Sequence, residues 1–220
     1  AGLVYDLASV SKVVGVGTLL IFLWYQGKLD LERPVTDFLS ECDYPDISIG
    51  QLLTHATDLD PFIPNRDQLS ADELKKAMFH LNRREKPSFL YSDVHFLILG
   101  FVLEQMFDED LDTLLREKVW NLWGMRETTF GPVSQAVPTV RGVKAGLVHD
   151  PKATLLGKHA GSAGLFSTVK DLKIFLEHYL KDDFADGLSQ NFSPLEDKDR
   201  SLAWNLEGDW LDHTGYTGTF

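Results

Sequence analysis

Residues 9–25 read SVSKVVGVGTLLIFLWY, in which a Ser-x-x-Lys tetrapeptide is followed by thirteen almost wholly apolar residues. A helix that spans a bilayer needs about 20 apolar residues, and no basic segment precedes the run as it would in a signal peptide. A helix that is apolar nearly all round is typical of a protein core. With Gly27 as its C-cap, the pattern predicts a buried helix over residues 9–26 and no transmembrane segment in this stretch.

Composition places the chain among folded proteins that do not bind nucleic acid. Five Trp, fourteen Phe and six Tyr among 220 residues are far more core-forming side chains than a disordered chain carries. The formal net charge is −12, and no basic stripe is present to contact phosphates. The single cysteine, Cys42, cannot form an internal disulfide, which fits a cytoplasmic protein but leaves the compartment open.

Helical patterns run through the middle of the chain. Ser70 and Glu73 carry the signature of a capping box, and residues 93–107 indicate a second helix that is apolar on most sides. Ser167 or Thr168 is expected to cap a helix that follows it. Further helices are expected at residues 35–39, 51–55, 74–81, 111–120 and 169–180.

Strand signals lie mainly near the C-terminal end. Residues 128–150 are rich in Gly, Pro and Val, which is typical of loop or irregular strand. Residues 202–210 are predicted as a strand, and a turn at Gly208-Asp209 precedes a second strand that ends at Phe220.

The first candidate for chemistry is the pair Ser9 and Lys12. Residues three apart on a helix share one face and can touch. A serine is a poor nucleophile until a base takes its proton, and a buried lysine can be that base. Ser9 would also lie at a helix N-terminus, where free N–H groups can stabilise an oxyanion. Taken alone, the pair is also explained by a Ser9 that caps the helix and a Lys12 that is solvated.

Two further motifs could complete such a site. Tyr91-Ser92-Asp93 stands just before the second apolar helix, and a tyrosine phenol can relay a proton. His213-Thr214-Gly215 offers small residues along which a substrate backbone can pair, together with a hydrogen-bonding imidazole. Each motif alone has an ordinary explanation, in which Tyr91 packs, Asp93 caps the helix and the glycines belong to a common hairpin.

In this order the three motifs resemble those of the serine β-lactamase and penicillin-binding-protein superfamily, and more closely its class C β-lactamase-like serine hydrolases. The resemblance runs from end to end of the chain. Further matching segments are LASVSK at 7–12, GKLDL at 27–31, IGQLLTH at 49–55, VHD at 148–150 and AGLFST at 163–168.

The resemblance implies an α/β (α+β) fold of the β-lactamase/transpeptidase type, with an antiparallel sheet flanked by helices and joined to a mainly helical portion. Residues 1–30 and 156–220 would form the α/β portion, which carries the nucleophile helix and the HTG strand. Residues 31–155 would form the helical portion with the YSD motif. Family members place further strands before the nucleophile and after the third motif, so the outer strands are expected to be absent from this chain, which looks truncated at both ends.

Acyl transfer is the chemistry that the resemblance implies. Ser9 would attack a carbonyl, Lys12 and Tyr91 would share the general-base and general-acid work, and the backbone N–H groups of Ser9 and Tyr216 would form the oxyanion hole. Neither a metal nor another cofactor is expected. Because a proton must pass among Ser9, Lys12 and Tyr91, we expect their side chains to meet at about 2.6–3.2 Å, or at somewhat longer distances without substrate.

The remaining motif residues are expected to bind substrate, and some of them depart from the family pattern. Asp93 stands where class C β-lactamases carry Asn, and an ionised Asp can only accept hydrogen bonds. His213 replaces a Lys ahead of Thr214 and Gly215, so less positive potential is offered to a substrate carboxylate. Ser162 stands where close relatives often have His.

The sequence therefore predicts a serine hydrolase that forms an acyl-enzyme with an ester, peptide or β-lactam carbonyl. The departures favour an esterase or D-alanyl-peptidase-like enzyme over a dedicated β-lactamase. The alternative is a catalytically silent module that binds cell-wall peptides or a protein partner. The expected partner is a small-molecule or peptide substrate with a reactive carbonyl. Relatives are often extracytoplasmic, and the oligomeric state stays open.

Overall fold

The computed structural model describes residues 2–139, 142–196 and 198–217. Their regular elements form a mixed α/β structure with short antiparallel strands. The helices are α1 (Ala8–Tyr25), α2 (Ile49–Leu53), α3 (Ala71–Phe79), α4 (Asp93–Phe107), α5 (Leu111–Leu115), α6 (Asn121–Trp123), α7 (Pro151–Leu156) and α8 (Val169–Lys181). The strands are β1 (Val4–Asp6), β2 (Thr129–Phe130), β3 (Leu165–Thr168), β4 (Asn205–Glu207) and β5 (Trp210–Asp212).

Helix α1 is the predicted core helix. It starts as a 3₁₀ turn, widens to a π turn over Val13–Gly17 and continues as α-helix from Thr18. A π turn alters the backbone hydrogen-bond ladder, and here the Trp120 indole donates to the carbonyl of Val14 at 3.0 Å. The helix is long and apolar enough to cross a membrane, with a mean hydropathy of 1.6, but 72 % of it is buried inside the protein. That burial is what a core helix requires.

Helix α4 begins and ends at the residues that the sequence predicts. Residues 94–103 are all buried, which explains a sequence that is apolar on most sides. The Ser92 hydroxyl accepts a hydrogen bond from the N–H of Val94 at 3.2 Å and caps the helix. The interpretation of Asp93 as the N-cap is therefore wrong, because Asp93 is the first helical residue. On α3, the predicted capping box of Ser70 and Glu73 is confirmed.

The strands form two separate antiparallel sheets. The first has the order β1-β3-β2, with Val4 opposite Thr168 and Thr129 opposite Phe166. The second is the hairpin of β4 and β5. A hairpin with its turn at Gly208 was predicted, although its strands are shorter than expected: β5 ends at Asp212, and residues 218–220 lie outside the described residues.

Three features that position the site escaped sequence analysis: β1, β3 and α7. Their sequences are three to six residues long, too short to show a clear period of alternation or helical repeat. Strand β1 leads directly into α1, and all three residues of β1 pair with β3. The segment before β3 packs so closely on α4 that a Cβ at Gly161 would collide with the carbonyl of Phe96. Helices α1 and α4 and this segment therefore meet around one point.

Candidate active site

Ser9 lies at the start of α1, on a turn that a buried carboxylate holds in place. Ala8 has a φ of 45°, an unusual left-handed conformation for a residue with a side chain. The Asp6 carboxylate accepts from the N–H of Ala8 at 2.8 Å and from the N–H of His149 at 2.8 Å. Burial raises the pKa of Asp6, and the two N–H groups oppose that rise. No local sequence pattern marks Asp6 for this role, because its partner His149 is 143 residues away.

Lys12 is buried and binds Ser9. Its side chain has 0 % exposure, and its Nζ donates to Ser9 Oγ at 3.0 Å, to Asp93 Oδ1 at 2.7 Å and to the Ser162 carbonyl at 3.0 Å. The alternative of a solvated Lys12 beside a capping Ser9 is wrong, since the N-cap of this helix is Leu7. The three acceptors hold Nζ in one position against the serine hydroxyl.

Asp93 is bound by two lysines rather than one. Its second oxygen, Oδ2, lies 3.0 Å from Nζ of Lys152 on α7, and Lys152 also contacts Asp150 at 3.4 Å. Burial opposes the ionisation of Asp93, but Lys12 and Lys152 outweigh it and lower its pKa to about 2. Asp93 is therefore a carboxylate at neutral pH. Lys152 escaped sequence analysis, because no motif marks a lysine in a short unpredicted helix.

Tyr91 reaches Lys12 through its ring rather than its hydroxyl. Lys12 Nζ lies 5.0 Å from the centroid of the Tyr91 ring, and the His55 ring lies 4.6 Å from it on another side. Among the described residues the Tyr91 hydroxyl makes no hydrogen bond to Ser9 or Lys12. The structure thus brings Tyr91 to the other two residues but does not form the hydroxyl contact that we expected. Catalytic hydrogen bonds are often loose without substrate.

The third motif lies beside the same group of residues. The His213 ring is 6.1 Å from the ring of Tyr91, and its Nδ1 donates to the Thr214 carbonyl at 2.9 Å. A carbonyl can only accept, so Nε2 is the acceptor nitrogen, and within the described ranges it has no partner. Burial, with Lys12 nearby, lowers the pKa of His213 to about 4, so the imidazole is neutral at pH 7. The Tyr216 and Thr214 side chains are exposed.

Gly215 sets the distance between this segment and Ser9. A Cβ at Gly215 would lie 2.5 Å from the carbonyl oxygen of Leu7 and 3.4 Å from Cβ of Ala8. The backbone of the third motif therefore rests directly on the turn that carries Ser9.

A buried pair of histidines, His55 and His95, packs beside Tyr91. His55 Nδ1 and His95 Nδ1 are 2.9 Å apart, and His95 Nε2 lies 2.9 Å from Thr57 Oγ1. The N–H of Ser92 donates to His55 Nδ1 at 3.3 Å. Burial lowers the pKa of His95 to about 3 and that of His55 well below its usual range, so both rings are neutral. Both escaped sequence analysis as functional candidates.

Arg200 is a buried cation behind the site. It has 0 % exposure, it interacts electrostatically with Tyr91 and His213, and it donates to Asn205 through Nη1. Nε and Nη2 have no hydrogen-bond partner in the described part of the chain. Burial lowers the pKa of Arg200 to about 10, which leaves it charged at pH 7. No sequence motif marks this arginine.

A cleft of about 520 Å³ borders part of the site. Tyr91, Asp93 and Lys152 line one side of it, and residues between 61 and 68 line the other. The cleft therefore borders Asp93, the carboxylate that binds Lys12.

Among the described residues, one cluster has ligand groups that could hold a metal ion, and it lies away from Ser9. Glu104, Asp110 and His159 have ligand atoms within 4.8 Å of one another, but Glu104 is about 16 Å along α4 from Asp93. Glu104 Oε1 already accepts from the N–H of Leu111 at 2.9 Å and contacts His159 at 2.5 Å, and Asp110 pairs with Lys158. The cluster thus joins α4, α5 and the segment after α7.

Solved structures with the same fold include penicillin-binding proteins and β-lactamases. A penicillin-binding protein from Bacillus halodurans matches with a TM-score of 0.78 at 17 % identity, over 98 % of this chain and 76 % of that one. A β-lactamase from Sulfitobacter sp. EE-36 matches with a TM-score of 0.73 at 19 % identity, over 92 % of this chain and 59 % of that one. These likenesses confirm the predicted β-lactamase/transpeptidase fold.

Sequence comparison agrees with the fold. The chain is 26 % identical, over 283 aligned residues, to a Salmonella gallinarum protein described as "Putative D-alanyl-D-alanine carboxypeptidase". The match covers 98 % of this chain and 65 % of that protein, so the chain spans about two thirds of its relative. The model of the beta-lactamase family matches residues 1–220. The chain therefore belongs to the beta-lactamase family.

Proposed function

We propose that Ser9 is the nucleophile of an acyl-transferring hydrolase, and that its acyl-enzyme is hydrolysed by water. The observation that carries the proposal is the contact between Ser9 Oγ and the buried Lys12 Nζ at 3.0 Å. Asp93 and the Ser162 carbonyl hold the same Nζ. A lysine removed from water and fixed on a serine hydroxyl is placed to exchange a proton with it.

In the acylation step, Lys12 is the general base that takes the Ser9 proton while Oγ bonds to the substrate carbonyl carbon. Tyr91 shares the proton transfer to the leaving group, which departs on the side of the cleft. The Tyr91 ring lies 5.0 Å from Lys12 Nζ, which places the phenol beside the proposed base. The acceptor nitrogen of His213 adds a hydrogen-bond partner on that side. Deacylation repeats the sequence with water as the nucleophile.

The oxyanion that develops on the carbonyl oxygen is assigned to the N–H groups of Ser9 and Tyr216. The close approach of Gly215 to Leu7 supports this, because it brings the backbone of the third motif against the turn that carries Ser9. Backbone donors fixed before the reaction stabilise developing charge without reorganising.

The substrate is assigned to the D-alanyl-peptide or ester class rather than to β-lactams as a dedicated target. An ionised Asp93 cannot donate to an amide carbonyl as an Asn would, and a neutral His213 offers no cation. Arg200 supplies positive potential behind Tyr91 instead, which suits a peptide that ends in a carboxylate. The description of the Salmonella relative favours the same class.

The direct test is covalent labelling by a fluorophosphonate probe, which reacts only with an activated serine. We expect labelling of the wild-type chain and none of Ser9→Ala, whose unfolding midpoint should change little because the Ser9 hydroxyl does not cap α1. Ser162→Ala is the matched control, since it removes a buried hydroxyl without a described partner and keeps the carbonyl that binds Lys12. It should label like the wild type.

Either of two results would overturn the proposal. Equal labelling of Ser9→Ala would mean another nucleophile. A folded wild-type chain that binds D-alanyl peptides without labelling would be the catalytically silent module instead.

A substrate panel tests the proposed class. We expect turnover of a D-alanyl-D-alanine peptide to exceed that of its C-terminal amide, and a simple ester to be hydrolysed faster than a penicillin. Fastest turnover of the penicillin would make the protein a dedicated β-lactamase.

A further inference from the structure

The Asp93 carboxylate is divided between two ammonium groups that come from opposite sides. Lys12 Nζ on α1 binds Oδ1 at 2.7 Å, and Lys152 Nζ on α7 binds Oδ2 at 3.0 Å. The side chain of Lys152 is only 13 % exposed, and it lines the cleft. A mostly buried lysine is costly unless it is paired, and its main partner here is the residue that replaces an Asn.

A carboxylate beside Lys12 creates a difficulty for the chemistry proposed above. An ionised Asp93 attracts the proton-bearing form of Lys12, whereas Ser9 needs the neutral amine as its base. A second ammonium on the same carboxylate offsets part of that attraction and repels the first. Both effects act through Asp93, because Lys12 Nζ and Lys152 Nζ each lie within hydrogen-bond distance of one of its carboxylate oxygens.

We propose that Lys152 is a positioning residue that shares the Asp93 charge and so weakens the attraction of Asp93 for Lys12, the general base proposed for Ser9. This inference rests on the proposed role of Ser9. It assigns no contact between Lys152 and the reacting atoms, since Lys152 acts through Asp93.

Several other charged and titratable groups lie near the two lysines and bear on how a pH profile is interpreted. The charged and titratable groups that face them are Asp93, Asp150, Tyr91, His55, His95 and His213. The pKa of Asp93 is about 2, that of His95 about 3 and that of His213 about 4. An activity change between pH 5.5 and 9 is therefore not due to these three groups.

The test is the pH profile of the fluorophosphonate labelling rate. We expect Lys152→Met to move the acid limb of the profile to higher pH by about one unit, so that labelling below the limb slows about tenfold. Lys152→Arg keeps the charge and should restore the wild-type midpoint. In an Asp93→Asn background, Lys152→Met should move the limb by less than half as much, because the shared carboxylate is gone.

Lys158→Met is the matched control, since Lys158 is an exposed lysine in the turn after α7 that pairs with Asp110. It should leave the midpoint unchanged. Circular dichroism and the unfolding midpoint check that each variant is folded. A wild-type midpoint in Lys152→Met, or the same shift in Lys158→Met, would overturn the inference while Ser9 labelling still stands. Absence of wild-type labelling would instead remove the proposed function on which it rests.

Discussion

At the scale of single residues, Gly215 is where the third motif depends on the absence of a side chain. An added Cβ would lie 2.5 Å from the Leu7 carbonyl oxygen and 3.3 Å from Cγ2 of Val10. Cβ atoms in proteins do not approach a backbone oxygen so closely, so the two segments would have to separate. The proposed oxyanion donor Tyr216 follows Gly215 directly and would move with it.

Gly215→Ala should therefore lower the labelling rate of Ser9 at least tenfold, the size of effect that loss of an oxyanion donor produces, while the chain stays folded. The rate of fluorophosphonate labelling at pH 8 is the measurement. Gly187→Ala is the control, because its Cβ would meet the Trp24 ring at 3.4 Å and Gln190 Nε2 at 3.9 Å, both ordinary contacts. Equal rates in the two variants would show that the third motif does not need its present position.

At the scale of elements, the start of α4 contributes both to the stability of the helix and to the candidate site. Ser92 caps the helix through Val94, and the next residue, Asp93, binds Lys12 and Lys152. Helix α3 is capped in a similar way by Ser70, which exchanges hydrogen bonds with Glu73. The two caps use the same chemistry, but of the two only the cap on α4 lies next to a residue that binds Lys12.

Ser92→Ala and Ser70→Ala should each lower the free energy of unfolding by about 1 kcal/mol, the usual contribution of a serine cap. Only Ser92→Ala should also slow labelling of Ser9, because fraying of the first turn of α4 loosens Asp93 from Lys12. Urea unfolding and labelling rates measured on both variants separate the two effects. If the labelling rate falls equally in both variants, the slower labelling results from lower stability alone and not from the position of Asp93.

At the scale of the whole molecule, buried neutral histidines make the fold sensitive to acid. The pKa of His95 is about 3 and that of His213 about 4, and that of His55 is also lowered. The unfolded chain binds protons on these rings below its ordinary pKa of about 6.5, whereas the folded chain does not. Stability is thus complete above that pH and is lost as the pH falls below it. Asp93 contributes in the same sense only below its ordinary range.

The free energy of unfolding should fall between pH 6.5 and pH 5.5 by up to about 1.4 kcal/mol per pH unit for each such histidine. Denaturant unfolding at several pH values measures this slope. His95→Gln should lower the absolute stability but reduce the slope by one histidine. A stability that does not change over this range would contradict the burial of neutral rings.

Much of the fold and part of the candidate site were predictable from local sequence. The bounds of α4, the core position of α1 and the caps at Ser70 and Thr168 follow from apolar periodicity and capping residues. The contact of Ser9 with Lys12 follows from their spacing on one helix. These features depend on residues within a few positions of one another.

The tertiary structure alone decided which groups surround that contact. Lys12 meets Asp93 across 81 residues, and Asp6 meets the backbone of His149 across 143. Lys152 reaches the same carboxylate from a short helix that the sequence pattern did not reveal. The sequence by itself determined the order of the motifs and the helices that carry them, because both arise from neighbouring residues. Two features depend on how distant segments pack, which no local period records. They are the division of the Asp93 charge between Lys12 and Lys152 and the contact of the Tyr91 ring with Lys12.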